Sequence, residues 1–116
     1  MTIRILHNPR CSKSRATLAL LREHGVEPDV CLYLDTPPDA AELDRILRAL
    51  DLQPRELMRT GEAVYAEQRL DDPALDREAL IAAMVAHPIL IERPIVLKGS
   101  RAAVGRPPEN VLSLLD

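Results

Sequence analysis

A chain of 116 residues can surround one hydrophobic core but not two, so a single domain over residues 1–116 is expected. Apolar residues make up 47%, a globular share, and with neither Phe nor Trp and only two Tyr the interior must be built from Leu, Ile, Val and Ala. The net charge of −3 argues against a nucleic-acid binder, two cysteines do not make a disulfide scaffold, and no apolar run reaches the length of a membrane span.

Met1 leads straight into TIRIL, too short for the apolar region of a secretory signal, so a cytoplasmic protein is expected. Residues 2–6 alternate and carry β-branched Ile3 and Ile5, the pattern of a strand. HNPR, residues 7–10, is turn chemistry. Ser12 or Ser14 can cap a helix running to about His24, with Leu18 and Leu21 on one face and Gly25 as its stop. DVCLYL, 29–34, reads as a second strand, which makes a parallel βαβ start.

Leu43, Ile46, Leu47 and Leu50 then fall at i, i+3, i+4 and i+7, a strong helix signal, with Asp39 and Glu42 or Thr36 available to cap it. Residues 54–68 suit one or two short helices. LDREALIAAMVAHP predicts a third helix capped by Asp76, stapled by Leu75 and Leu80, and stopped by Pro88. PIVL (94–97), the turn KGS and RAAV (101–104) read as a strand pair, and RPPENVLSLL as a closing helix opened by prolines. A βαβ unit followed by ββα is the α/β thioredoxin-like layout, here with a helical block inserted over about 38–88; a generic α/β sandwich is the alternative.

The chemistry concentrates in HNPRCSKSR, residues 7–15. Cys11 lies between the first strand and the first helix, where α/β folds place ligands. A thiol there faces unsatisfied N–H groups and the positive end of the helix dipole, and Arg10, Lys13 and Arg15 add positive charge. Such surroundings favour the nucleophilic thiolate. Three residues on stands Ser14 and not a second cysteine, so an external thiol must complete any redox cycle. Cys31 sits mid-strand and reads as an ordinary core residue. Thirteen of the fifteen basic residues are Arg, which grips oxyanions with a rigid fork of donors. Arg93 and Arg106 each precede a proline, Arg93 interrupts the apolar run ILIERPIVL, and Arg59 is expected to end the short helix RELMR; taken singly, each also suits a solvated surface.

HNPRCSKSR resembles the active-site loop of the glutaredoxin-linked arsenate reductases, and LYLDTPP, RELMR, HPILIERPIV and VGRPPE resemble that family's later blocks in the same order. The resemblance covers nearly the whole chain and is closest to short members without a C-terminal extension. It implies a thioredoxin-like fold that reduces arsenate to arsenite, with Cys11 attacking arsenic, glutathione as co-substrate, and glutaredoxin clearing the mixed disulfide. It matches Arg59, Arg93 and Arg106 to oxyanion-binding arginines, His7 to a histidine that tunes the cysteine, and Ser14 to a serine contacting the thiolate; Asn8 and Arg15 join these as supporting residues. It also implies a cis Arg93–Pro94 bond, no bound cofactor or metal, and a monomer. Relatives of this family include glutathione-linked thiol reductases and redox-sensing transcription regulators that bind RNA polymerase; the latter usually carry C-x-x-C, where this chain has CSKS.

Overall fold

In the computed structural model, which describes residues 2–115, strand β1 (Ile3–His7) is an inner strand of a four-stranded sheet. On one side it pairs parallel with β2 (Asp29–Leu32), in the register Ile5 to Val30. On the other it pairs antiparallel with β3 (Ile95–Lys98), which pairs in turn with β4 (Arg101–Val104), so the order is β2-β1-β3-β4. Helix α1 (Ser12–Glu23) connects the parallel pair. The closing helix, Pro108–Leu115, is wound as a 3-10 helix where an ordinary helix was expected; its first bond, from the Asn110 N–H to the Pro107 carbonyl, already spans three residues. This is the thioredoxin-like arrangement, βαβ followed by ββ and a helix.

One face of the sheet is covered by α1 and the closing helix. Ile3, Ile5, Leu21, Val96, Val111 and Leu114 are buried there, with Leu18 and Val26 packed against them. Each such side chain contributes about 1.5–3 kcal/mol when fully buried, enough to build a core without aromatic rings. Gly25 stops α1 with φ +78, and the N–H groups of Gly25 and Val26 return to the carbonyls of Arg22 and Leu21. That is a Schellman closure, and it draws Val26 onto Leu21.

The chain parts at 36/37 and 92/93 into two units, the sheet unit just described and a helical unit over Pro37–Glu92. The helical unit contains α2 (Ala40–Leu50), α3 (Pro54–Leu57), α4 (Ala63–Glu67) and α5 (Arg77–Ala86), then a 3-10 turn at Pro88–Leu90. Asp39 caps α2 by accepting from the Glu42 N–H, and Asp76 caps α5 by accepting from the Ala79 N–H. Leu43, Ile46 and Leu47 on α2 and Leu80, Ile81 and Met84 on α5 form the unit's core, and Asp44 ties the two helices through Arg77 at 2.8 Å. Among the described residues no helix is long and apolar enough to cross a membrane.

Three local expectations are corrected. The strand expected over 29–34 ends at Leu32, where the N–H groups of Asp35 and Thr36 fold back onto the Leu32 carbonyl. Cys31 is not a core residue: β2 is an edge strand, Cys31 is half-buried, and its neighbours Val30 and Leu32 are 43% and 42% exposed. Arg59 does not end a helix, since α3 stops at Leu57 and Met58 bridges to Ile91.

Candidate active site

The loop after β1 winds around a buried serine. The Ser14 hydroxyl accepts from the Asn8 N–H at 3.0 Å and lies 2.6 Å from His7 Nδ1. His7 and Asn8 are themselves buried. Burial, with the positive charges of Arg22 and Arg15, holds His7 below its ordinary pKa, so the ring is neutral at pH 7 and one hydrogen is shared between its Nδ1 and the serine oxygen. The Asn8 side chain accepts from the Arg10 N–H at 3.0 Å, and its carbonyl accepts from the Cys11 N–H, also at 3.0 Å. Arg15 turns its guanidinium to the Pro9 carbonyl at 2.8 Å. Every residue of the turn is thereby tied to another.

The product of this winding is the placement of Cys11. It is itself the N-cap of α1, with φ −95 and ψ 124, and neither expected serine caps the helix. A cysteine at the N-cap sits where the first orphan amides of the helix point. Burial raises the thiol pKa, but the Ser14 N–H, the Arg93 side chain and the Lys13 N–H together outweigh it, and the net displacement is downward. Ser14 therefore supports the sulfur with its backbone, while its hydroxyl is engaged by His7 and Asn8.

Arg93 and Arg106 come to this sulfur from the second chain segment of the sheet unit. Arg106 places Nη2 3.5 Å from Cys11 Sγ and donates Nε to the Arg93 carbonyl at 2.8 Å. The Arg106 carbonyl in turn accepts from the Asn110 side chain at 3.0 Å. Both arginines precede cis prolines, Arg93–Pro94 as expected and Arg106–Pro107 in addition. The sequence reading missed two residues that hold this arrangement close. The Gly105 N–H donates to the Pro94 carbonyl at 2.9 Å, and a Cβ on Gly105 would stand 2.5 Å from Thr17 Oγ1 and 2.8 Å from Pro94 Cγ. Thr17 is fully buried on α1, its hydroxyl donated to the Lys13 carbonyl. A glycine directly ahead of the second Arg-Pro pair was the available signal.

Arg59 belongs to the helical unit. Its N–H donates to the Leu90 carbonyl at 2.7 Å, and its guanidinium pairs with Glu62 at 3.3 Å and Glu92 at 2.9 Å. Neither glutamate was singled out in the sequence. Cys31 also has its own surroundings, with Arg4 Nη2 3.5 Å from its sulfur and the Thr36 carbonyl 3.6 Å away. Both cysteines are free thiols, and among the described residues no group of three His, Cys, Asp or Glu side chains could hold a metal. The arrangement at Cys11 suits a thiolate that attacks an electron-poor centre carrying negative oxygens, because cations and amides converge where charge would accumulate.

The family model described as the ArsC family matches residues 6–114. The uncharacterized protein YfgD of Escherichia coli K12 is 56% identical over 114 residues, 97% of this chain and 96% of that protein. An arsenate reductase of Neisseria meningitidis is 54% identical over 114 residues, 97% of each chain. Among solved structures, the arsenate reductase from Vibrio cholerae superposes with a TM-score of 0.94 at 51% identity, covering 97% of each chain.

Proposed function

This chain belongs to the ArsC family, and on that premise we propose that it reduces arsenate to arsenite with Cys11 as its nucleophile. The observation that carries the reading is the Cys11 sulfur at the start of α1, lowered in pKa and met by Arg106 at 3.5 Å. The Cys11 thiolate attacks arsenic, forming an S–As bond as one oxygen leaves as water. Glutathione thiolate then attacks the Cys11 sulfur. The S–As bond breaks, its electron pair stays on arsenic, and arsenite departs. Two thiols have supplied two electrons, and Cys11 is left in a mixed disulfide with glutathione. Glutaredoxin takes up the glutathionyl group and returns the Cys11 thiolate.

Each supporting residue has a physical task in this scheme. A thiolate and an oxyanion repel, so cations must stand by both; Arg93 and Arg106 do so in the sheet unit, and Arg59 is the third oxyanion-binding arginine. His7, Asn8 and Ser14 hold the turn so that the helix amides meet the sulfur, and Arg15 braces it through Pro9. The external thiol is needed because position 14 is serine and the Cys31 sulfur has its own neighbours in Arg4 and Thr36. No resident cofactor or metal takes part, and the protein acts as a cytoplasmic monomer, where glutathione is abundant and reduced.

A coupled assay with arsenate, glutathione, glutaredoxin, glutathione reductase and NADPH tests the reading. Arsenate-dependent NADPH oxidation that disappears when glutaredoxin is omitted is expected. Absence of arsenate-dependent oxidation with the complete mixture rejects the reaction.

A further inference from the structure

The oxyanion role proposed for Arg59 meets an obstacle in its own unit. A guanidinium offers an oxyanion two bidentate edges, Nε with Nη2 and Nη1 with Nη2. Glu62 occupies Nε at 3.3 Å and Glu92 occupies Nη1 at 2.9 Å, so each edge already has one carboxylate on it. The hollow beside them, about 390 Å³, is lined by Met58, Arg59, Thr60, Gly61, Glu62 and Glu92, one guanidinium against two carboxylates. All three charged side chains are only about a quarter to a third exposed, so water screens the pairs incompletely.

From this we infer that Glu92, with Glu62 as its lesser partner, is a specificity-determining residue that competes with the oxyanion for Arg59, so that a bidentate grip forms only when a carboxylate is displaced. The inference rests on the proposed oxyanion role of Arg59. Glu92 is the stronger competitor. Its bond is the shorter, and its backbone is fastened by the Glu92 N–H to the Leu57 carbonyl at 2.8 Å, beside the Met58–Ile91 bridge. Its carboxylate is thus presented by a braced segment. It is also the residue immediately before Arg93, so one short stretch of chain carries both the competitor of Arg59 and an arginine of the thiolate site. The consequence is selectivity by charge: an anion must bring enough charge to displace a glutamate from Arg59.

The test is isothermal titration of arsenate into Cys11→Ala protein, which binds without reacting, alone and combined with Glu92→Gln or Arg59→Ala. Gln keeps the shape and a hydrogen bond but removes the charge. Glu92→Gln is expected to tighten arsenate about two- to fivefold, the scale of a partly exposed ion pair, and Arg59→Ala to weaken it. In Cys11-intact protein Glu92→Gln should lower KM with kcat unchanged, a split that a residue serving only the fold would not produce. Unchanged or weaker binding in Glu92→Gln, with binding lost in Arg59→Ala, overturns the competition and leaves the oxyanion role of Arg59 standing. Unchanged binding in Arg59→Ala overturns both.

Discussion

Arg106 gives one N–H to a carbonyl and another to a sulfur, whereas Arg59 gives its N–H groups to two carboxylates. A carbonyl orients a guanidinium; a carboxylate orients it and also offsets its charge. The sheet unit thus brings an arginine donor to the Cys11 sulfur, and the helical unit holds its arginine in an ion-paired cluster. The contrast teaches that arginines in a chain say little about anion affinity until the counter-charge of each is known. The groups that meet the Cys11 sulfur, Arg93, Arg106 and the amides of Lys13 and Ser14, all lie in the sheet unit.

The comparison breaks most directly at the sulfur. Replacing Cys11 with Ser is expected to lower arsenate-dependent turnover by roughly three orders of magnitude or more, because the proposed nucleophile is lost. Cys31→Ala, on the edge strand, should keep activity and folding. Steady-state kinetics on both proteins decide it: turnover retained in Cys11→Ser would remove Cys11 from its role, and turnover lost in a folded Cys31→Ala would show that Cys11 is not the sole essential thiol. Next comes Arg106, whose replacement by Ala should lower kcat/KM by about 10²–10³, the scale of a lost transition-state donor. Arg106→Lys should recover little, since one ammonium cannot serve both the Arg93 carbonyl and the Cys11 sulfur with the same fork. Full activity in the Lys variant would show that charge alone matters there.

A purely steric change sharpens the contrast further. Gly105→Ala puts a methyl group against Thr17 and Pro94, and should destabilise the protein by about 1–3 kcal/mol in urea unfolding. Thr17→Ala should relieve part of that loss in the double variant, and strict additivity would mean the two residues do not meet. The smallest effect is a dependence on pH. The folded protein holds the Cys11 thiol below its ordinary pKa. Between the folded value and the ordinary thiol value, the folded state has released a proton that the unfolded state still holds. Stability therefore rises with pH across that window and keeps the full gain above it, and the gain is lost as pH falls through the folded value. Urea midpoints over a pH series should show this slope, and Cys11→Ser should flatten it. An equal slope in the variant would assign it to another group.

Much of this molecule was legible as local pattern. Alternation over Ile3 and Ile5, the 3.6-residue spacing of Leu43, Ile46, Leu47 and Leu50, the caps at Asp39 and Asp76 and the stop at Gly25 all depend on neighbours within one or two turns. So does the position of Cys11 at a helix start. What the sequence did not disclose lies in contacts between distant positions. Arg106 reaches a sulfur 95 residues away, Glu92 meets Arg59 across 33, and Gly105 must be bare because Thr17 packs against it. Cys31 was misplaced for the same reason: a strand's pattern shows which side chains alternate, but its place at the edge of the sheet is decided by which strands pair. Periodicity is a property of the chain, so sequence determines the elements and the thiol's place at a helix start; counter-charge and close approach are properties of the folded surface, and only the tertiary structure decides them.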